Sequence, residues 1–212
     1  MLTKVLSFTG VECYDLILYI ARVYKQLGKQ VLIVDNSVSQ SLSFCVPGLV
    51  DAKAGTPVDF GGITATKHIV APPASFDFIL IYTGKHSHEI MDYADRIFLV
   101  TDYQKHNIEQ LLETELADDE EPVVIFRDRV TSKITPDTIM ARFTSSGFNV
   151  QTIQYLEDTT EDLASKVLCQ YNTFDQFKRV SSSVKDLIIK VVSEDFDEKE
   201  VTKALKQAAR RW

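Results

Sequence analysis

The stretch FDFILIYT, residues 76–83, decides the fold because it contains five consecutive apolar or aromatic side chains. A strand whose successive side chains are all apolar has to be covered on both faces, which is typical of a parallel sheet between two helix layers. Residues 150–155 alternate more strongly and predict an edge strand, and residues 67–70 predict a further weak strand. Four other runs are close to continuously apolar and predict buried strands: residues 5–8 (VLSF), 31–34 (VLIV), 97–100 (IFLV) and 123–126 (VVIF).

Segments with helical periodicity separate these runs. Residues 11–27 carry apolar side chains on one face and end at Gly28, a residue type that commonly stops a helix. Residues 102–115 predict a second helix with Asp102 as its N-cap, and residues 135–147 predict a third. Strand–helix–strand units are connected by right-handed crossovers. We therefore predict an α/β three-layer sandwich with a mostly parallel, doubly wound sheet.

The end of the chain differs from the rest. After residue 174 the sequence shows no further strand pattern, and residues 175–192 and 198–212 both predict helices. We therefore divide the chain into an α/β domain, residues 1–174, and a C-terminal helical extension, residues 175–212.

The composition excludes several classes of protein. The chain has 212 residues, a formal net charge of −7 and 45% hydrophobic residues, values that are ordinary for one water-soluble domain. Its apolar runs are far shorter than the roughly 20 residues of a membrane span, and its first residues predict a strand rather than a signal peptide. An acidic surface as a whole does not attract nucleic acid. We expect a cytoplasmic protein that binds no nucleic acid.

The potential metal ligands lack the spacing that a metal site requires. Cys13, Cys45 and Cys169 are an odd number of cysteines far apart in sequence, which predicts reduced, buried thiols of a cytoplasmic protein. His86 and His88 have no partner cluster, which predicts a solvated loop or the start of a helix. We therefore predict no metal site.

Ligands of open α/β sheets bind at the carboxyl ends of the strands, and the first such turn is residues 8–15, FTGVECYD. Its surroundings resemble the ParA/MinD family of partition and positioning ATPases, a deviant Walker A (SIMIBI) branch of the P-loop ATPases. That family begins with a strand, the motif KGGVGKTT, a long helix and a strand GKxVLLID. The resemblance is in order and spacing, covers about residues 2–155, and implies a P-loop NTPase-like fold. Its matching segments are Gly10-Val11, residues 28–35 (GKQVLIVD), 76–83 (FDFILIYT) and 94–101 (ADRIFLVT).

The loop that binds phosphate in the family differs here at its chemically active positions. A P-loop uses glycines that admit the phosphates, a lysine that reaches their oxygens and a hydroxyl that binds Mg²⁺. The carboxylates of Glu12 and Asp15 are expected to repel a triphosphate. The resemblance places Phe8 at the signature lysine, Glu12 at a loop glycine, Cys13 at the Walker lysine and Tyr14-Asp15 at the threonine pair.

Other nucleotide contacts of the family are altered as well. The aspartate that ends the Walker B strand corresponds to Tyr82, and the asparagine that recognises adenine is missing near residues 126–127. Asp35 remains, either as a remnant of the acidic set or as the polar end of a buried strand. The degenerate nucleotide pocket therefore comprises Phe8, Gly10, Val11, Glu12, Cys13, Tyr14, Asp15, Asp35 and Tyr82.

The resemblance then implies a pseudo-ATPase, with no catalytic residue and no expected cofactor. We predict a non-catalytic protein for interaction, positioning or assembly in a larger cytoplasmic or membrane-associated machine, of the secretion, pilus, partition or conjugation type. Protein partners and a homodimer are expected, because family members dimerise across the nucleotide face. The alternative is a deviant nucleotide-binding switch that holds ATP and Mg²⁺ and dimerises with ATP.

The C-terminal helix supports a further alternative, an adaptor. It is amphipathic and basic, and it either packs on its own domain or dimer, contacts a protein partner, or lies on the anionic surface of a membrane as a peripheral contact. The acidic residues 113–121 (ETELADDEE) are expected to form a solvated loop. The candidate helix residues are Lys199, Val201, Lys203, Leu205, Lys206, Arg210, Arg211 and Trp212.

Overall fold

The computed structural model describes residues 2–85, 89–117, 120–128, 133–171, 177 and 179–210. Within these residues, eight strands form one sheet: β1 (Lys4–Gly10), β2 (Val31–Asp35), β3 (Val58–Phe60), β4 (Ile63–Lys67), β5 (Phe78–Gly84), β6 (Arg96–Thr101), β7 (Val123–Phe126) and β8 (Thr152–Tyr155). The strand order is β3-β4-β2-β5-β1-β6-β7-β8. Neighbouring strands are parallel except β3 and β4. The edge position predicted for residues 150–155 is confirmed by β8.

Six α-helices lie in the same described ranges: α1 (Tyr14–Gln26), α2 (Lys105–Leu112), α3 (Pro136–Ser145), α4 (Thr160–Cys169), α5 (Ser182–Ser193) and α6 (Glu198–Ala208). Two 3₁₀ turns, Ser43–Cys45 and Glu89–Tyr93, lie between strands of the sheet.

Alternate side chains of the sheet enter cores on opposite faces, as the pleat of a strand requires. On one face, Phe98 and Val100 join a large core with buried residues of α1, α4, α5 and α6. On the other face, Leu99 packs with Ile108 of α2 and Phe143 of α3. The predicted α/β three-layer sandwich with a mostly parallel sheet is therefore confirmed.

The prediction of a strand at residues 67–70 is wrong. The strand here is β4, which ends at Lys67 and pairs antiparallel with β3. Phe60 pairs with Ile63, so the connection is the two-residue turn Gly61-Gly62, and both glycines have positive φ (58° and 77°). Two positive φ values define the hairpin turn that fits the twist of a sheet, and glycine adopts them without strain.

The predicted helices begin later or end earlier than expected. α1 starts at Tyr14 rather than residue 11, because the chain remains extended beside β6 through Val11, whose N–H donates to the Val100 carbonyl (2.9 Å). Asp102 does not cap α2; its carboxylate accepts from the Gln104 N–H (2.8 Å) in the turn that precedes the helix. α4 was not predicted.

The two C-terminal helices pack on α1 and share its core. α5 starts at Ser182, and α6 ends at Ala208. The start predicted for this helix, residue 175, lies outside the described residues. The buried Arg22 of α1 donates to the Ala208 carbonyl (2.6 Å), which fixes the end of α6. The segment between α5 and α6 is held at the opposite end by Asp195, which forms ion pairs with Lys4 and with Arg96 (2.7 Å for Arg96). The helical extension thus completes one helix layer of the α/β domain.

Candidate functional site

The turn between β1 and α1 is filled by side chains of the chain itself. Phe8 is fully buried and stacks on Phe98 with 4.7 Å between the ring centroids. Cys13 is also fully buried, and burial, together with the nearby Asp15, raises the pKa of its thiol to about 12. The position that the resemblance assigns to the Walker lysine therefore holds a neutral thiol, which supplies neither a cation nor a nucleophile at neutral pH.

Gly10 has a structural reason to be glycine. Its φ is +121°, and a Cβ built on it would lie 1.9 Å from the carbonyl oxygen of Val100 in β6. The next residue, Val11, donates its N–H to that same oxygen. The close approach of the two strands accounts for the glycine without any phosphate.

Arg127 closes the turn from the neighbouring end of the sheet. It follows β7, and its guanidinium binds both carboxylate oxygens of Asp15 (2.7 and 2.9 Å). It also binds both oxygens of Asp158, at the end of β8 (3.1 Å each), and the Glu12 carbonyl (3.3 Å). These contacts use all five N–H donors of an arginine side chain. Arg127 therefore joins the ends of β1, β7 and β8 and has no donor left for a ligand.

Arg127 affects the two carboxyls of this cluster differently. Burial alone would raise the pKa of Asp15, but the Arg127 charge and hydrogen bonds, with a smaller effect of Lys166, outweigh burial and hold that pKa below its usual range. The pKa of Arg127 lies well above its ordinary value, because its two carboxylates overcome the cost of burial. Burial raises the pKa of Asp158 despite Arg127. Of the two carboxylates expected to repel phosphate, Asp15 is neutralised by Arg127, whereas Glu12 is exposed.

A pH titration tests the ion pair of Asp15. A carboxyl whose pKa is lower in the folded chain stabilises the fold above its unfolded-state pKa of about 4 and loses that contribution as the pH falls through the folded value. We expect the loss of unfolding free energy in Asp15→Asn to be largest near neutral pH and to shrink below about pH 4. Urea unfolding over a pH series measures it, with the exposed Asp51→Asn as control. A loss of the same size at pH 7 and pH 3 would contradict the assignment.

The carboxylate of Asp35 is hydrogen-bonded to the loop that follows β2. Its carboxylate accepts four hydrogen bonds, from the backbone N–H and the hydroxyl of Ser37 (3.1 and 2.6 Å) and of Ser43 (2.8 Å each). Asp35 is fully buried and lies beside Tyr82 in the register of β2 and β5. Tyr82 is also buried, and burial raises the pKa of its hydroxyl. The geometry fits the polar end of a buried strand, since the carboxylate holds the loop after β2.

Tyr14 completes the closed turn. Its side chain is buried, and the ammonium of Lys166 on α4 lies 5.8 Å from the centre of its ring.

The loop after β2, which also follows the carboxyl end of a strand, exposes apolar side chains. Val38 is 83% exposed and Phe44 is 52% exposed. The carboxyl ends of the strands therefore carry a turn filled by buried side chains, next to a loop whose apolar side chains face solvent.

The predicted residues of α6 are divided between two faces. Val201 and Leu205 are buried, as are Ala204 and Ala208. No helix among the described parts of the chain combines the length and the apolarity that crossing a bilayer requires. Four basic residues of the candidate set are exposed: Lys199, Lys203, Lys206 and Arg210.

Some predicted features lie outside the described residues, namely Arg211, Trp212 and the pair His86 and His88. Within the described ranges, no group of three or more His, Cys, Asp or Glu residues is arranged to hold a metal ion. The three cysteines are free and buried.

Sequence comparison gives no family: no family model matches the chain, and no curated protein matches it. Solved structures do match. MinD cell division protein of Aquifex aeolicus is 13% identical with a TM-score of 0.61, covering 92% of this chain and 99% of that protein. A putative plasmid partition protein of Borrelia burgdorferi B31 bound to AMPPNP is 10% identical with a TM-score of 0.57, covering 97% and 99%. Apo McdA of Cyanthece is 10% identical with a TM-score of 0.55 and the same coverage.

These matches define the class of fold. The chain has the ParA/MinD-like fold of the P-loop ATPases, as the resemblance of its sequence predicted. At this identity the likeness concerns the fold, and the chemistry has to be argued from the residues of the turn.

Proposed function

We propose that this chain is a non-catalytic ParA/MinD-like protein, a pseudo-ATPase that acts in interaction, positioning or assembly within a larger cytoplasmic or membrane-associated machine. The observation that carries the proposal is the Arg127 cluster, which binds the Glu12 carbonyl, Asp15 and Asp158 with every donor of the guanidinium. The positive charge at the turn thus comes from a side chain of the protein, and its hydrogen-bond donors all bind groups of the same chain.

Each remnant of the pocket has an internal partner. Gly10 allows β1 to approach Val100, and Asp35 binds the loop that follows it. The buried thiol of Cys13 replaces the cation that would reach phosphate oxygens. Where the resemblance places the family's Walker lysine and threonine pair, the described turn has Cys13 and Tyr14-Asp15, so we expect neither binding nor hydrolysis of a triphosphate.

Calorimetry with ATP and ADP, in Mg²⁺ and at low salt, tests the proposal. We expect no detectable heat and no change in the midpoint of thermal unfolding, because the turn offers a buried thiol and an exposed carboxylate, Glu12, in place of a lysine. Micromolar binding that Asp35→Asn abolishes would contradict the proposal and favour the nucleotide-dependent switch. Asp51→Asn, an exposed carboxylate outside the site, is the matched control.

A homodimer that forms without nucleotide is the second part of the proposal. Val38 and Phe44 expose apolar surface at the edge through which the resemblance implies dimerisation. We expect sedimentation at high protein concentration to show a dimer that Val38→Asp/Phe44→Asp weakens at least tenfold. Leu2→Asp, 94% exposed before β1 at the other edge of the sheet, is the control. A strictly monomeric wild-type protein would overturn this part.

An adaptor that acts through α6 is a second candidate, favoured by the four exposed basic residues of that helix. Because Val201 and Leu205 are buried, a contact of the described part of α6 with a membrane or a partner would depend on its basic face. Deleting residues 175–212 would not test it, since α5 and α6 complete the core around α1. Reversing exposed charges, as in Lys203→Glu/Lys206→Glu, changes the face without removing the helix.

A further inference from the structure

A cavity of about 330 Å³ lies between the segment that follows α2 and the turn that follows α3. Its polar lining includes Thr114, Glu115 and Glu120 on one side and Asn149 on the other. The volume lies near the lower end of the range for small-ligand sites, about 300 to 1,000 Å³.

The lining of this acidic cavity calls for a ligand that donates hydrogen bonds and carries positive charge. Thr114 is only 6% exposed, and its hydroxyl has no hydrogen-bond partner among the described residues. Glu115 is exposed and takes part in no ion pair within the described ranges. One carboxylate oxygen of Glu120 accepts a hydrogen bond from the Ala117 N–H (2.9 Å). The amide of Asn149 already donates to Glu121 (3.0 Å). Two carboxylates and a hydroxyl oxygen suit the three donors of a lysine ammonium.

The complementary surface is on α6. Lys199, Lys203, Lys206 and Arg210 are spaced four, three and four residues apart, so they form one stripe along the helix. All four are exposed, and none forms an ion pair with another described residue. This basic stripe stands out on a chain whose net charge is −7.

The two surfaces belong to different layers. α6 packs on α1 on one face of the sheet, whereas the acidic cavity adjoins α2 and α3 on the other face. The sheet separates them within one molecule, so only a second molecule can bring them together.

We propose that the acidic cavity of one copy binds the basic stripe of a second copy, so that the protein associates head to tail. Such a contact joins two different patches and repeats into a ring or an open filament rather than closing on a two-fold axis. The proposal is independent of the nucleotide pocket and of the dimer through Val38 and Phe44. It adds a contact whose strength depends on salt, because exposed charges are screened.

Sedimentation velocity of the full chain at two salt concentrations tests the association. We expect species larger than a dimer at about 20 mM salt and their dissociation at about 500 mM, where screening acts within a few ångströms. A dimer that depends on Phe44 would persist at high salt, so the failure of either proposal is distinguishable. The absence of larger species at low salt overturns the head-to-tail contact.

Charge reversal identifies the two surfaces. Lys203→Glu/Lys206→Glu and Glu115→Lys/Glu120→Lys should each weaken the association at least tenfold, and the protein that carries all four changes should regain it. Glu115→Lys alone provides a second variant that leaves the Glu120 hydrogen bond to Ala117 intact. Lys53→Glu/Lys133→Glu, two exposed lysines elsewhere, should have no such effect.

Mixing the two double variants separates the mechanism from general repulsion. Each variant alone brings like charges together, whereas in an equimolar mixture both contacts between the two variants join opposite charges, so the mixture should regain the larger species. If the mixture does not associate, or if only the α6 variant loses association, the stripe has another occupant and the proposal is overturned. Binding of the stripe to vesicles of anionic phospholipid without any self-association would likewise assign it to a membrane and overturn the proposal.

Discussion

Replacement of Arg127 by methionine is expected to lower the free energy of unfolding by about 3–5 kcal/mol. The side chain is 1% exposed and lies between two carboxylates, Asp15 and Asp158, whose own exposures are 3% and 1%. Removing the cation leaves two buried like charges without a partner, a far larger cost than losing the hydrogen bonds alone. Urea unfolding at neutral pH measures the loss. Since ordinary domains are stable by only about 5–15 kcal/mol, the variant will be close to unfolding.

Two further variants establish the cause. Arg142→Met removes an ion pair to Glu109 in which both side chains are largely exposed (47% and 39%), and it should cost no more than about 1 kcal/mol. Neutralising the whole cluster, as Asp15→Asn/Arg127→Met/Asp158→Asn, should recover at least half of the stability that Arg127→Met loses. An Arg127→Met protein as stable as the wild type would refute the assignment of Arg127 as the group that closes the turn.

Gly10→Ala is expected to destabilise the fold by about 3 kcal/mol or more, the sum of backbone strain and overpacking. A φ of +121° is a conformation that residues with a Cβ rarely adopt, and the added atom would lie 1.9 Å from the Val100 oxygen. β1 and β6 would have to separate, at the point where the Val11 N–H donates to that oxygen. Thermal and urea unfolding measure the effect.

Gly28→Ala is the matched control for this substitution. Gly28 also has positive φ (+77°), but no atom lies within 4 Å of a Cβ built there. Strain without a clash should cost about 1–2 kcal/mol. Equal losses in the two variants would show that the strand contact, which explains the retained glycine, contributes nothing.

The strands of the sheet centre could be predicted because burial on both faces leaves a continuous apolar run, as in residues 78–82. The β3–β4 hairpin was not predicted because β3, the edge strand, has only three residues and ITATK in β4 has no continuous apolar run. α4 did carry a local signal. Thr159 and Asp162 form a reciprocal capping box, a pattern that can be recognised three residues apart in sequence.

The pocket was predicted only in part, for a physical reason. The resemblance to the ParA/MinD family assigns Cys13 and Asp15 to its turn. Arg127 lies 112 residues from Asp15 and 31 residues from Asp158, and long-range ion pairs leave no periodic trace. The topology could have suggested the cluster. Arg127 and Asp158 both follow parallel strands, and the carboxyl ends of parallel strands lie on the same side of the sheet.

The internal origin of the Arg127 contacts has a consequence for the living cell. Where a pocket is held together by a small molecule, the fraction of folded protein rises and falls with the concentration of that molecule. Here the clamp is part of the same covalent chain, so its effective concentration is constant. If the chain binds no nucleotide, as we propose, the closed turn keeps its shape in a starved cell as in a growing one, and assemblies built on it would be insensitive to the energy supply.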